Sequence, residues 1–499
     1  MSVKPDPARQ AGVLVLGTTF ATISSAIAPL LIVRLLGKAD VARLMSVTLV
    51  YETLAALLCS GLPYTLLYQL SNKQPADRSA IARRMVRVAA CLGLGGALLV
   101  GFVDLLVMFT PIGRSLDPVT STQIRLMTIL APSLAADLPF RLLPNLLVAE
   151  GRARRSAVIQ VVRTILMTAA TLVPLALQAS VETVIVCYAI VRWSFGAWVL
   201  VELRGLYGAF PRIDASLSVK ALLAFAVPIG ATDAIASLNG QLDRWLVLLV
   251  LPGTRLADYQ IGAWQVPVIG TIAMAVGSTY TPELVRRFQA RDPYGALELW
   301  QRGIHKVALI VVPVTMALVV GAPELMSLLF TKEYVDAAAI FRFYSVLTFL
   351  RVASFGSVIV AAGRPGFVVR AAAFGLLFNL LFSVPLVFTV GFIGPAIGTA
   401  LAFVCQIGAY CYYIARASEV PLSKVFPLAS YLRILAIAAV AGGVAWGVKL
   451  ALSAHPLLAL LTAALVVLAL FAGIGSLLGV IERSDWAYAR DWLKLKVVR

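Results

Sequence analysis

The sequence predicts an all-α polytopic membrane protein with about 14 transmembrane helices. Hydrophobic residues make up 60% of its 499 residues and charged residues only 13%, which is more apolar surface than a soluble domain can hide. The apolar residues are gathered in runs that are long enough to span a membrane. A helix needs roughly 20 residues to cross the hydrocarbon core. Some of these runs recur at a fixed spacing, which predicts two related helix bundles.

The apolar runs define the predicted spans in chain order. They are 12–36, 43–70, 85–109, 123–148, 156–177, 181–203, 219–251, 256–280, 305–330, 338–362, 368–390, 392–415, 431–451 and 456–481. The first run has full length and no small-residue cleavage site, so we expect it to be retained as a helix. The seventh is long for one crossing, and we expect it to break or bend at Pro228 or near Asn239 and Gly240.

Two short turns indicate an internal repeat. The motif Val148–Arg152 (VAEGR) returns 212 positions later as Val360–Arg364 (VAAGR), and Gly37 matches Gly253 at a spacing of 216. Each repeat holds six spans, an even number, so both halves have the same topology and are related by a pseudo-twofold along the membrane normal.

The repeat predicts two six-helix lobes and a C-terminal addition. The predicted N-lobe covers residues 1–210 and the predicted C-lobe covers residues 211–418. Residues 419–499 hold two extra C-terminal helices and a cytoplasmic tail. We expect no soluble domain, because every connection between the predicted spans is short.

The basic residues predict the orientation of the chain. The formal net charge is +18, from 42 Lys and Arg residues against 24 Asp and Glu residues. Twenty-nine of the basic residues fall on one side of the predicted spans and eight on the other, so the positive-inside rule predicts that both termini are cytoplasmic. Because this charge is spread over short loops between apolar runs, we exclude nucleic acid as a partner.

Nothing in the sequence predicts an enzyme. There is no P-loop, so we do not expect ATP hydrolysis. The two histidines, His305 and His455, lie at the ends of separate spans, and the five cysteines lie inside apolar runs without metal-ligand spacing. We therefore predict no catalytic residue, no metal site and no cofactor.

Charged residues predicted to lie deep in the bilayer are the functional candidates, because placing a charge there is costly. The acids among them are Glu52, Asp137 and Asp233, which are candidates for carrying H⁺ or Na⁺. The arginines are Arg141, Arg192 and Arg351. Asp137 and Arg141 are four residues apart and share a helix face. Their sequence is compatible both with a structural ion pair and with a functional site.

Neutral polar residues at the same depth are Gln265, Asn379 and Gln406. They are candidates for contacts with sugar hydroxyls, but such residues also join helices to one another. In span 12, Gly394 and Gly398 are four residues apart. This spacing predicts a face for close helix packing.

Several motifs together resemble the multidrug/oligosaccharidyl-lipid/polysaccharide (MOP) exporter superfamily, and within it the Wzx-type polysaccharide flippases. They are Arg34–Gly37 (RLLG), Leu242–Arg244 (LDR), Asp258–Tyr259, and the hairpin Gly363–Gly398 with its central Asn379. The resemblance covers roughly residues 10–415. It implies two six-helix lobes around a central cavity that opens alternately to either side of the membrane.

The resemblance also implies a substrate. This is an undecaprenyl-pyrophosphate-linked oligosaccharide, moved from the cytoplasmic to the periplasmic leaflet of the bacterial inner membrane for exopolysaccharide, capsule or O-antigen biosynthesis. Arg192, Arg351 and Arg141 are the expected pyrophosphate ligands, because guanidinium groups bind phosphates bidentately. We expect a monomer that is surrounded by membrane lipids and works with a polysaccharide polymerase or export machinery.

Three alternatives stay open at this point. The two extra C-terminal helices are similar in position to those of lipid II flippases. A MATE-type, cation-coupled drug exporter shares the twelve-span core, but we expect acids to dominate its cavity. A membrane-embedded glycosyltransferase or polymerase needs a large extramembrane loop with catalytic residues, and the sequence has none.

Overall fold

The fold is all-helical, as predicted. The computed structural model describes residues 24, 26–72, 75–110, 118–208, 219–251, 253–264, 266–451, 455–482 and 485. Within them, twelve helical stretches are long and apolar enough to cross a bilayer. The predicted spans 12–36 and 256–280 fall partly on residues outside this description. The chain divides into two compact units, Met1–Ala257 and Asp258–Arg499.

The first unit consists of long helices joined by short turns. They are α1 (Ala26–Leu35), α2 (Lys38–Cys59), α3 (Leu62–Asn72), α4 (Pro75–Phe109), α5 (Pro118–Leu130), α6 (Leu134–Ala149), α7 (Ala153–Ala176), α8 (Val181–Tyr207) and α9 (Val219–Val250). A 3-10 turn at Ala131–Ser133 joins α5 to α6, so the two helices form one crossing. Helix α10 (Thr254–Gly262) lies at the division between the units.

Helix α6 is central in the first unit, where it packs against α3, α4, α7 and α8. Its apolar face is fully buried, and Phe140 stacks on Phe195 of α8 with ring centroids 4.6 Å apart. Asp137 and Arg141 lie one turn apart on the same helix, and Asp137 is itself among its buried residues. Burial of the apolar face therefore fixes the position of these two charged groups.

The second predicted span is interrupted where α9 passes. Ser60 and Gly61 separate α2 from α3, and Gly61 has φ +73°, a conformation that glycine adopts without strain. A side chain at Gly61 would overlap α9 at Ala226 and Gly230. Helix α9 is continuous from Val219 to Val250. A break at Pro228 or near Asn239 and Gly240 is therefore wrong, because transmembrane helices tolerate an internal proline when neighbouring groups satisfy the backbone. A bend at these residues stays a prediction.

The second unit contains the remaining helices. They are α11 (Pro267–Gln289), α12 (Pro293–Val320), α13 (Ala322–Phe330), α14 (Ala337–Leu350), α15 (Phe355–Ala361), α16 (Gly366–Thr389), α17 (Gly394–Ser418), α18 (Leu428–Ala451) and α19 (Pro456–Leu477). Helices α16 and α17 form a tight hairpin. A side chain at Gly398 would overlap Ser383 of α16, so the predicted role of this glycine in close packing is confirmed.

The repeated turn has the same hydrogen bonds in both units. The N–H of Arg152 donates to the carbonyl of Leu147 at 2.7 Å, and the N–H of Arg364 donates to that of Ile359 at 3.1 Å. Gly151 and Gly363 have φ +72° and +75°. Both are Schellman turns, in which a left-handed glycine ends a helix and satisfies its last carbonyls. The sequence repeat therefore corresponds to a repeated local structure.

The two C-terminal helices pack on the second unit. Small and apolar residues of α18 and α19, among them Ala441, Ala445 and Ala463, form a core with Ala317 and Val320 of α12. The Lys449 ammonium on α18 is 3.0 Å from the Glu324 carboxylate on α13 and donates to the Val320 carbonyl at 2.9 Å. The predicted ends of the N-lobe at residue 210 and of the C-lobe at residue 418 stay a prediction.

Candidate functional site

Five charged residues of the first unit meet in what we call the charged cluster. It comprises Glu52 on α2, Asp137 and Arg141 on α6, Arg163 on α7 and Arg192 on α8. Each lies near the middle of its membrane-spanning stretch. Four of the five are residues that the sequence predicted as deep charges. Their convergence from four helices makes this the strongest candidate site among the described residues.

Arg141 bridges the two acids of the charged cluster. Its Nη2 donates to Glu52 Oε2 at 2.6 Å, and its Nε donates to Asp137 Oδ2 at 2.9 Å. The predicted pairing of Asp137 with Arg141 is confirmed. The contact with Glu52 goes further, because it ties α6 to α2 across 89 residues of sequence.

Asp137 is the buried anchor of the charged cluster. Its side chain has 0% exposure, and its second oxygen accepts a hydrogen bond from Arg163 Nη2 at 3.3 Å. A buried carboxylate is stable only when its oxygens are paired, and here two arginines pair with it. Asp137 also lies in the first turn of α6, where the helix dipole favours a negative charge.

Arg192 is buried but only partly satisfied. Its Nη2 donates to Glu52 Oε1 at 3.0 Å, and its guanidinium carbon lies 4.2 Å from the ring centroid of Tyr51 and 5.2 Å from that of Tyr188. Its side chain is 4% exposed. In the described part of the chain, Nε and Nη1 have no hydrogen-bond partner. Two donors of a fixed positive charge are therefore available for an acceptor.

The two tyrosines beside Arg192 are themselves held in place. The hydroxyl of Tyr51 lies 3.1 Å from the Ser133 hydroxyl, in the 3-10 turn between α5 and α6. The hydroxyl of Tyr188 lies 2.7 Å from that of Thr171 on α7. Stacked rings with bonded hydroxyls fix the plane of the guanidinium and contribute cation–π attraction. The arginine is thus preorganised by its surroundings.

The charged cluster has more positive than negative groups, with three arginines against two carboxylates. Its exposure is uneven. The side chain of Glu52 is 41% exposed and that of Arg163 is 31% exposed, whereas Asp137 is fully buried. One flank of the cluster is therefore accessible, and that flank carries the carboxylate of Glu52.

Arg163 is the residue of this site that the sequence analysis missed, although it falls inside the predicted span 156–177. It lies ten residues after Ala153, where α7 begins, and is therefore about 15 Å into the span at 1.5 Å per residue. Counting that rise from the helix start would have found it.

Arg351, the third predicted pyrophosphate ligand, lies in the second unit. It caps the C-terminal end of α14 at the break before α15, is exposed, and has its guanidinium carbon 5.2 Å from the Phe403 ring centroid. Asp233, a predicted coupling acid, accepts a hydrogen bond from the Gly61 N–H at 3.4 Å. Its contact stabilises the interruption between α2 and α3.

The predicted sugar ligands of the second unit lie inside the α16–α17 hairpin. Asn379 is 1% exposed, and its Oδ1 accepts hydrogen bonds from Ser383 at 2.7 Å and Thr399 at 3.1 Å. Gln406 donates from Nε2 to the Ala371 carbonyl at 3.2 Å. Both join helices in this structure. Gln265 lies outside the described residues.

No group of three or more His, Cys, Asp or Glu residues suited to holding a metal ion occurs among the residues that the structure describes. The charged cluster itself offers guanidinium and carboxylate groups. An anion with several oxygens matches the unpaired donors of Arg192. Glu52 is held by two arginines, and their positive charges oppose a proton or a cation on its carboxylate for as long as these contacts last.

Comparison with known proteins identifies the family. A family model described as lipid II flippase MurJ matches residues 157–468. The probable low-salt glycan biosynthesis flippase Agl15 of Haloferax volcanii is 24% identical over 191 residues, which are 37% of this chain and 40% of that protein. A probable lipid II flippase MurJ of Rhizobium meliloti is 24% identical over 173 residues, 35% of this chain and 32% of that protein. The matches thus span less than half the length of these curated relatives.

Solved structures share the fold. A lipid II flippase MurJ in an inward closed conformation has a TM-score of 0.69 and 14% identity, over 93% of this chain and 99% of that chain. A MOP superfamily transporter from Pyrococcus furiosus has a TM-score of 0.57 and 15% identity, over 83% of this chain and 95% of that chain. The family model covers more than half of the sequence, and the chain therefore belongs to the MurJ family, whose model is described as lipid II flippase MurJ.

Proposed function

We propose that this protein is a flippase, and not an enzyme, that moves a diphosphate-linked lipid glycan across the bacterial inner membrane. The charged cluster is the observation that carries the proposal. Arg192 has two buried donors without a hydrogen-bond partner, and two further arginines lie beside it. Arginine keeps its charge in the bilayer and matches the oxygens of a diphosphate.

The two acids of the charged cluster have different roles in this proposal. Asp137 is fully buried and holds Arg141 and Arg163 through separate oxygens. Glu52 is 41% exposed and contacts Arg141 and Arg192. A diphosphate that approaches from the accessible flank displaces Glu52 and takes over its two arginines. Asp137 meanwhile keeps Arg141 and Arg163 in position.

The charge balance of this exchange suggests how transport is coupled. The cluster carries an excess of one positive charge, whereas a diphosphate diester has one ionised oxygen on each phosphate. Uptake of a proton or Na⁺ at the displaced Glu52 restores the balance. The membrane potential is the other source of energy, worth about 2.3 kcal/mol per charge per 100 mV.

The remaining predicted site residues keep their proposed roles. Arg351 is proposed as a second diphosphate ligand, Asp233 as a further coupling acid, and Gln265, Asn379 and Gln406 as sugar contacts. We also propose that both termini are cytoplasmic, because the basic residues favour that side. The protein is proposed to act as a monomer that passes its product to a polymerase or export machinery.

The glycan is proposed to be an oligosaccharide repeat unit for exopolysaccharide, capsule or O-antigen synthesis. The similarity to a glycan biosynthesis flippase supports it. Lipid II is the second candidate, and the family match and the Rhizobium relatives favour it. Export of organic cations is disfavoured, because three arginines against two acids repel a cationic drug.

Replacement of known flippases tests this proposal and separates the two glycans. The chain is expressed in one strain depleted of its lipid II flippase and in another that lacks its O-antigen flippase. We expect surface O-antigen to return in the second strain, whereas growth of the first strain alone would assign lipid II. Failure in both strains, with the protein present in the inner membrane, would count against a flippase. Arg192→Ala is the matched inactive control.

A further inference from the structure

A pocket of about 430 Å³ opens in the first unit between α4 and α9, away from the charged cluster. No residue of the cluster lines it. Its walls include Arg84, Arg87, Cys91 and Leu92 of α4, and Val219 and Leu223 of α9. The proposed flippase mechanism assigns it no role.

The two arginines of this pocket differ from others at the same end of the unit. Arg78 is 3.6 Å from the Glu150 carboxylate, and Arg155 is 2.7 Å from that of Glu202. Across the described ranges, by contrast, neither Arg84 nor Arg87 makes an ion pair, and no carboxylate lines the pocket. Because they are three residues apart on one helix, they project from the same face. An anion bound between them can accept hydrogen bonds from both guanidinium groups.

The rest of the pocket is apolar and lies farther along α4. Cys91 and Leu92 follow the arginines by one to two turns, and Leu223 faces them from α9. Cys91 is exposed and Leu92 is half-buried. Two cations at one end and an apolar wall beyond them match a lipid, with its phosphate at the membrane surface and its chains in the hydrocarbon. A free phosphate has no apolar part that could contact this apolar wall.

We propose that this pocket binds the phosphate headgroup of an anionic bilayer lipid between Arg84 and Arg87, with the start of one chain against Cys91, Leu92 and Leu223. Basic pockets between transmembrane helices are known to bind such headgroups. The lipid bridges α4 and α9, two helices that are far apart in sequence. Its binding is separate from glycan transport, so either proposal stands if the other fails.

Lipid binding to the purified full-length protein tests the proposal. Native mass spectrometry measures the binding of phosphatidylglycerol and of phosphatidylcholine to the wild type and to R84Q/R87Q. Each arginine removed should lower the affinity for phosphatidylglycerol about fivefold, so we expect binding to weaken roughly 25-fold in the double variant. R152Q/R154Q removes the same charge from exposed positions outside the pocket and should leave binding little changed. An equal loss of phosphatidylglycerol affinity in both double variants would show that only the overall surface charge matters, and it would overturn the proposal.

A second variant tests the apolar wall with both arginines intact. Cys91→Trp fills the pocket and should weaken phosphatidylglycerol binding at least severalfold. Val201→Trp adds the same ring at a side chain that is 63% exposed, elsewhere on the unit, and should have no effect. Unchanged binding in Cys91→Trp would overturn the proposal, as would competition by inorganic phosphate at the affinity of the lipid. Thermal unfolding of each variant checks that the chain is folded.

Discussion

Replacing Arg192 and Glu52 singly and together separates ligand binding from charge neutralisation. Arg192→Gln removes the 3.0 Å bond to Glu52 and the contacts with two tyrosine rings. Arg141 still holds Glu52 at 2.6 Å, so no acid is left without a partner. The loss of one charged hydrogen bond and of the cation–π contacts predicts a destabilisation of about 2–3 kcal/mol.

The effect of Arg192→Gln on ligand affinity follows from the same geometry. A charged hydrogen bond to phosphate is worth about 1.5–3 kcal/mol, so binding of undecaprenyl diphosphate should weaken roughly 10- to 100-fold. Fluorescence quenching or calorimetry with the purified protein measures this affinity, and thermal unfolding measures the stability. Glu52→Gln alone should bind the diphosphate at least as tightly as the wild type, because it removes the competing carboxylate.

The double variant E52Q/R192Q decides between the two roles of Arg192. It differs from Glu52→Gln only in Arg192, so the two variants compare diphosphate binding with the competing carboxylate absent from both. If Arg192 binds the diphosphate, the affinity of the double variant stays roughly 10- to 100-fold below that of Glu52→Gln. Equal affinities of these two variants would refute our reasoning, because they would show that Arg192 only neutralises Glu52.

Three further predictions concern the other charged groups. Arg351→Ala should abolish glycan export while the protein remains inserted, and normal export would remove Arg351 from the site. Asp137→Asn should destabilise the chain by about 3–5 kcal/mol in thermal unfolding, because the fully buried carboxylate that pairs with both Arg141 and Arg163 is lost. A loss no larger than that measured for Glu52→Gln would contradict its role as the anchor. Lys449→Ala should cost about 2 kcal/mol by separating α18 from α13, and an unchanged unfolding temperature would show that this ion pair contributes nothing.

The periodic features of the fold could be predicted from the sequence. Apolar run length predicted the membrane spans, and the Val148–Arg152 motif predicted a turn that recurs with the same hydrogen bonds at Val360–Arg364. The interruption at Gly61 was not predicted, because it depends on α9 passing close by, a contact 165 or more residues away in sequence. The pattern within one stretch of sequence does not reveal contacts with helices that are distant in sequence.

Four of the five members of the charged cluster were predictable from the sequence, but most of their partners were not. Glu52, Asp137, Arg141 and Arg192 stood out because a charge inside an apolar run is costly. Only the pair Asp137 and Arg141 is local in sequence. Contacts such as that of Arg192 with Glu52, 140 residues apart, depend on how α2 and α8 pack.

The arrangement of the charged cluster explains how arginines can be retained inside a membrane and still bind a ligand. Each unpaired charge at the bilayer centre costs about 2.5–3.5 kcal/mol on insertion scales, so three arginines without acids would strongly disfavour the fold. Two equally buried acids would stabilise the fold, but neither could be reached and replaced by a ligand. Here Asp137 is fully buried with both oxygens in use, whereas Glu52 is 41% exposed. Asp137 therefore stabilises Arg141 and Arg163 permanently, and Glu52 is the partner that an incoming diphosphate can replace.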